Sequence, residues 1–298
     1  MFRNAYALLL LTTLMWGGNA VAGKLAVGHI SPMALTTIRW TAAVLIMLAI
    51  GLPQLRRDWP VVRANLLLLF ALGAAGFTLF NVALYSALLY TTAINVSIEQ
   101  AGMPMFIFAF NFLLYRMGVS PGQMVGFTLS LAGVALTASH GDLTSLTGLQ
   151  INFGDALMLG GVLLYSGYTV ALRYKPNLHW KSLMLVMSFA ALVASLPFLA
   201  WEIAAGDVIW PDTRGWAISA YTAIFPSIVS QVFYIRGVEL IGPNRAGLFI
   251  NLVPIFGTLL SILLVGEAFH PYHAVALVMV LGGIWMAEHS GRKRASRA

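Results

Sequence analysis

The sequence contains no cysteine and very little charge. Of its 298 residues, 10 are acidic and 17 basic, and charged residues make up 9%, against about 25% in soluble domains. The missing cysteines exclude disulfides, thiolate metal sites and a cysteine nucleophile. The scarcity of charge excludes a water-soluble globular protein and a disordered chain. Apolar runs that do not alternate with polar residues argue against an outer-membrane barrel. The chain also lacks a P-loop, an H-E-x-x-H helix and a G-x-S-x-G elbow, so no ATPase subunit, cofactor or metal centre is expected. His270 and His273, spaced i,i+3, fall at the end of an apolar run and read as interfacial histidines.

What the chain has is hydrophobic length. Hydrophobic residues reach 59% and the mean hydropathy is +0.84. A helix needs about 20 apolar residues to cross a bilayer. Ten stretches qualify: 5–27, 33–51, 64–89, 92–115, 121–139, 153–173, 182–204, 215–238, 245–266 and 271–288. The expected fold is an all-α polytopic membrane protein of ten transmembrane helices. The connections are short, so any function must lie within the bundle or at its mouths. Residues 1–28 imitate a signal peptide, with Arg3, an apolar stretch and Ala20-Val21-Ala22. The apolar stretch is too long for that reading.

The charges set an orientation. With the N-terminus inside, 14 of the 17 Lys and Arg fall on the inner side, all but Lys24, Arg39 and Arg214. The positive-inside rule then places both termini in the cytoplasm. The basic tail, 291–298, reads as a topology anchor, with no nucleic-acid partner expected.

An internal repeat organises the chain. An offset of 150 residues aligns Pro104 with Pro254, Phe106 with Phe256, Pro121 with Pro271 and Gly133 with Gly283. It also aligns Leu113-Leu114, Val125 and Leu131 with their counterparts. Two halves result, 1–145 and 146–290, each of five spans. Five is odd, so the second half enters the membrane from the opposite side. Such inverted repeats characterise many transporters.

Polar and aromatic residues gather near the middle of the repeat-related spans 1, 3, 4, 6, 8 and 9. The candidate substrate-binding residues are Trp16, Asn19, Phe77, Phe80, Asn81, Tyr85, Glu99, Gln100, Met103, Tyr165, Tyr168, Gln231, Tyr234 and Asn251. Glu99 is the only deep carboxylate. It reads either as an amine or proton site or as a structural partner of Arg39 or Lys24. Those two cations read as snorkelling to the outer interface. Gly17, Gly18, Pro104, Gly167, Pro226 and Pro254 are expected to supply hinges, since proline removes a helical hydrogen bond and bends the helix. The remaining spans read as a supporting layer, with spans 5 and 10 available for a dimer contact. Monomer and homodimer both stay open.

The motif Trp16-Gly17-Gly18-Asn19, with Lys24, Pro32 and Arg39-Trp40 following, resembles the opening of the EamA family of the drug/metabolite transporter superfamily. Gly154-Asp155, and Leu252-Val253-Pro254-Ile255-Phe256 leading to Gly266-Glu267, resemble its second half. Arg116-Met117-Gly118 departs from the family's usual Gly-Glu. The resemblance implies two five-helix halves and export or exchange of small metabolites. It is most similar to the bacterial amino-acid exporter branch, including exporters of aromatic amino acids.

The expected protein is a secondary transporter of the bacterial inner membrane. Its partners are a small-molecule substrate, such as an apolar or aromatic amino acid, and the lipid bilayer. A transporter of another metabolite or of a drug cation by proton antiport is the alternative. A membrane enzyme or scaffold would need a catalytic dyad, and Glu99 has no evident second member.

Overall fold

The computed structural model describes residues 4–90, 96, 100, 103–116, 119–138, 153–265 and 271–295. Their regular structure is all helical. The first half holds α1 (Ala5–Ala26), α2 (Pro32–Ala64), α3 (Leu66–Tyr90), α4 (Met103–Tyr115) and α5 (Pro121–Ala138). The second holds α6 (Phe153–Ala171), α7 (Trp180–Ala205), α8 (Thr213–Ile241), α9 (Val253–Val265) and α10 (Pro271–Ala295). Among the described residues, six helices are long and apolar enough to cross a membrane: α1, α2, α3, α7, α8 and the stretch Ala156–Tyr174 that contains most of α6. The other four occupy the places of the remaining expected spans. As described, α4 and α9 have 13 residues each, about 20 Å at 1.5 Å per residue, which is short of a full crossing.

The outer face of the bundle is greasy. Leu67 is 84% exposed, and Leu113, Leu263 and Val278 exceed 70%. No watery surface tolerates so continuous an apolar coat, whereas lipid does. Trp201, Trp210 and Trp216 are exposed near one end, and Trp59 and Trp180 near the other. Such belts suit an amphipathic indole at a membrane interface.

Local chemistry fixes the helix ends. Asn4 caps α1, its side-chain oxygen accepting from the Tyr6 and Ala7 amides at 3.1 and 3.2 Å. The start of α2 is held from another helix. The buried Glu202 carboxylate on α7 accepts from Ser31 Oγ at 2.6 Å and from the Met33 and Ala34 amides at 3.2 Å. These are donors that a helix start otherwise leaves unpaired, and a carboxylate there also complements the helix dipole. Asp212 caps α8 through the Gly215 amide at 2.8 Å and meets His29 at 2.7 Å. The α1–α2 and α7–α8 loops are thereby tied together.

Two helices are broken at the same point of the repeat. A π-helical segment, Ala74–Leu79, interrupts α3, and another, Phe225–Val229, interrupts α8. The 150-residue offset places the two in register. Pro226, a residue with no N–H to give the ladder, lies in the second. A short helix, Pro243–Leu248, and a 3-10 turn, Phe249–Leu252, lead into α9. Pro104 and Pro254 fall in the first turn of α4 and α9, whereas α1 runs unbroken through Gly17 and Gly18.

Glycine sets the closest helix contacts. A Cβ on Gly17 would lie 2.7 Å from the Gly257 nitrogen, so α1 and α9 touch backbone to backbone. A Cβ on Gly126 of α5 would lie 2.4 Å from the Gly283 carbonyl of α10. The helices expected to be free for a dimer contact thus bury one face against each other.

Candidate substrate cavity

A small cavity sits where the interrupted helices meet. It is lined by Trp16 and Asn19 of α1, Arg39 of α2, Phe80, Asn81 and Leu84 of α3, Gln100, and Met103 of α4. Tyr165 of α6, Pro226 and Gln231 of α8, and Ile250 complete it from the second half. It holds about 20 Å³, room for about one water molecule. This conformation is therefore contracted around the site.

The aromatic walls interlock. Trp16 meets Tyr165 edge-on with centroids 5.5 Å apart and Tyr234 at 4.9 Å. Tyr165 also meets Phe80 at 4.8 Å and Tyr168 at 5.1 Å. The Trp16 indole nitrogen donates to Ser230 Oγ at 2.9 Å. Ser230 Oγ in turn donates to the Pro226 carbonyl at 2.6 Å, beside the π segment. Irregular helical turns of this kind loosen backbone carbonyls and recur at functional sites.

The Tyr165 hydroxyl and the Gln231 side chain face one another in the wall, and neither that hydroxyl nor Gln231 Oε1 completes a well-formed hydrogen bond among the described residues. Both are buried. An unsatisfied buried polar group is costly, and a ligand is one way to satisfy it.

Of the residues expected from sequence, Trp16, Asn19, Phe80, Asn81, Gln100, Met103, Tyr165 and Gln231 line the cavity, as does Pro226. Others stand behind the wall. Phe77 stacks on Trp40, with centroids 4.8 Å apart and planes 6° from parallel. Tyr168 touches Phe77 and Tyr165, and Tyr234 pairs with Thr169 at 3.1 Å. Asn251 is buried next to the lining residue Ile250 but does not itself line the cavity, and neither of its amide atoms is partnered among the described residues. Gly167 lines a separate apolar groove with Leu68, Gly160 and Leu164. Glu99 lies outside the described residues, as do Gly266-Glu267 and His270.

Arg39 overturns its reading as a snorkelling cation. It is 1% exposed. Its Nε donates to Ser227 Oγ at 2.8 Å, and its Nη1 to Asn81 Oδ1 at 2.8 Å and to the Tyr85 hydroxyl. That hydroxyl donates onward to Asn19 Oδ1 at 2.8 Å. Span 2 therefore contributes to the cavity and is not merely a supporting layer. Lys24 is exposed and donates to the Leu88 carbonyl at 3.2 Å.

A wider vestibule of about 840 Å³ opens at the α1–α2 end, lined by Gly23, Ala26, Met33, Tyr85, Leu89, Phe153, Phe198, Trp201 and Glu202 among others. Tyr85 links the two spaces, lining the vestibule while its hydroxyl holds two cavity residues, Arg39 and Asn19. The opposite end is laced shut. Arg173 donates to Asn111 at 3.0 Å and lies 3.7 Å over the Tyr115 ring, and Asn111 donates to Asn244 at 2.6 Å. Glu239 joins Lys175 at 2.5 Å and Arg236 at 2.8 Å.

The profile of the EamA-like transporter family matches the chain twice, over residues 3–139 and 152–287. The uncharacterized transporter YetK of Bacillus subtilis is 23% identical over 95% of this chain and 86% of its own length. The uncharacterized inner membrane transporter YicL of Salmonella typhimurium is 22% identical over 99% of each. A solved crystal structure superposes with a TM-score of 0.77 over 97% of this chain and 98% of its own, at 20% identity, and so shares the fold. The chain belongs to the EamA-like transporter family of the drug/metabolite transporter superfamily, and it is a multi-pass membrane transporter, not an enzyme.

Proposed function

We propose that this transporter carries amino acids and related small metabolites, aromatic and apolar ones among them, out across the bacterial inner membrane. The observation that carries this reading is the cavity itself. Its aromatic rings come from both halves of the chain, with amide groups set between them. An aromatic wall takes an apolar side chain, and the Tyr165 hydroxyl and Gln231 side chain, which complete no well-formed hydrogen bond among the described residues, suit the polar end of an amino acid. One cation in the cavity is too few for a phosphorylated sugar, whose phosphate calls for several.

The architecture in this proposal is ten crossings in two inverted five-helix halves, with both termini in the cytoplasm. The vestibule then faces outside, and the laced Arg173 and Glu239 end faces the cytoplasm. Transport follows by rocking of the halves around the cavity, with the π segments of α3 and α8 as flexible points. Gly167, Pro104 and Pro254 are further candidates for bending.

The test is uptake of an amino-acid panel by purified protein in proteoliposomes, with and without a pH gradient. Wild type is expected to move aromatic or apolar members. Tyr165→Ala and Gln231→Ala are expected to lose most of that uptake while still reaching the membrane. A wild type that moves none of the panel overturns the amino-acid reading.

A further inference from the structure

Among the described residues, which do not include Glu99, the guanidinium of Arg39 is buried without an acid beside it. Its partners, Ser227, Asn81 and Tyr85, are all neutral. Buried arginines are ordinarily paired with a carboxylate or another anion, because neutral hydrogen bonds offset only part of the cost of removing the charge from water. The guanidinium has five N–H donors in a planar fork. Nε and Nη1 account for three of them here, and Nη2 donates to no described residue. Arg39 also lines the cavity. A positive charge with an edge that no described residue takes, at the wall of a small cavity, matches a planar anion that takes two parallel hydrogen bonds, and a carboxylate is that group.

Tyr85 already occupies part of this edge. Its hydroxyl oxygen accepts from Nη1, and its proton goes to Asn19. A carboxylate bridging Nη1 and Nη2 must compete with that hydroxyl. It wins on chemistry, since a bond between two opposite charges is stronger than one from a charge to a neutral phenol. The phenol then loses its hold on Arg39. Tyr85 lines the vestibule, and its hydroxyl holds Arg39 and Asn19, which line the cavity, so its release is the step that joins the two spaces in this inference.

We propose that Arg39 receives the carboxylate of the transported solute and that Tyr85 is the latch this carboxylate displaces. The inference rests on reading the cavity as the transport site. It deepens that reading by making the carboxylate, and not the amine or the side chain, the group whose binding opens the route. The same chemistry admits 2-hydroxy and 2-oxo acids alongside amino acids.

The test is ligand-induced thermal stabilisation of the purified, detergent-solubilised protein. The probes are L-phenylalanine, its carboxamide, its decarboxylated amine, and the matching 2-hydroxy and 2-oxo acids. Wild type is expected to favour the acids over the amide and amine by about tenfold or more in apparent affinity. Arg39→Gln is expected to level that preference, whereas Tyr85→Phe, which keeps the guanidinium, retains it. If only the 2-hydroxy or 2-oxo acid binds, the amino-acid reading fails and the role of Arg39 stands. A wild type that binds the amide or amine as well as the acid, or that binds none of the acids, overturns the proposal.

The latch has its own readout. Leu84 lines the cavity and the chain is naturally free of cysteine, so Leu84→Cys is a unique label site. Modification by a membrane-impermeant thiol reagent added from the vestibule side is expected to be slow, to quicken about tenfold in a Tyr85→Phe background, and to quicken on adding the preferred acid only where Tyr85 is present. Equal rates in all three conditions overturn the latch.

Discussion

Trp16 and Ser230 stand 214 positions apart in sequence, and a 2.9 Å hydrogen bond from indole to hydroxyl joins them. The bond links the first helix of one half to the broken helix of the other. It also aims the indole, because Ser230 is itself fixed to the Pro226 carbonyl. Trp16→Phe keeps an aromatic wall and removes the donor. The expected loss is about 0.5–1.5 kcal/mol, typical of one neutral hydrogen bond, read as a rise of several fold in the transport KM. Ser230→Ala should give a similar rise, and the double variant little more than either alone. Fully additive effects would show that the bond does not position the ring.

Which parts of this site were legible in the sequence follows from what a sequence encodes about a helix. Trp16, Asn19, Tyr165 and Gln231 stood out as polar or aromatic residues within aliphatic runs, and depth alone was enough to find them. Phe77, Tyr168 and Tyr234 have the same chemistry at similar depth, yet they point behind the wall. Depth does not give the direction a side chain faces. Arg39 was misread for the same reason. Seven residues from Pro32, it lies roughly 10 Å into the helix at 1.5 Å per residue, within reach of an interface for a long side chain. Its real partners, Asn81 and Ser227, lie on helices whose adjacency only the fold reveals. The π segment around Pro226 had a signal in the proline. Its counterpart at Ala74–Leu79 had none.

The packing of α5 on α10 predicts a sharp contrast between two glycines. A Cβ at Gly126 meets the Gly283 carbonyl at 2.4 Å and the Ala287 nitrogen at 2.8 Å, so backbone must move. Gly126→Ala is expected to cost about 1–3 kcal/mol, the usual range for overpacking. At Gly160, inside α6, a Cβ meets nothing within 4 Å. Gly160→Ala should be neutral or gain up to about 1 kcal/mol from helix propensity. Thermal unfolding in detergent reads both, and equal behaviour of the two variants would contradict the close contact.

Asp212 predicts a pH dependence at the vestibule end. The Gly215 amide, and next the His29 side chain, hold its carboxyl below the usual carboxylate range. A depressed folded-state value means that the ionised cap adds stability above the ordinary carboxylate pKa. That stability is lost as pH falls through the depressed value. Asp212→Ala should therefore lower the unfolding temperature at neutral pH, and the gap from wild type should close in acid. A gap that stays constant between neutral pH and pH of about 3 would show that the charge of the cap is idle.

The Lys175–Glu239 pair predicts how the opposite end opens. The contact is 2.5 Å, with the lysine side chain 11% exposed and the glutamate 33%. It joins the turn after α6 to the end of α8 within the second half, and it braces the turn from which Arg173 reaches Asn111 of the first half, a contact between halves that must part if they rock. Partly exposed pairs contribute about 0.2–1 kcal/mol, and the loss of 1 kcal/mol shifts a two-state ratio about fivefold. Glu239→Gln is expected to move the population by a few fold toward the conformer open at that end. A cysteine in place of the buried Thr169, close behind the cavity wall through Tyr234, reports the shift. Its labelling from the Glu239 end should quicken in Glu239→Gln while labelling of Leu84→Cys from the vestibule slows. Rocking about a single cavity requires the two rates to move in opposite directions, and a parallel rise would mean that the variant has loosened the bundle instead of shifting it.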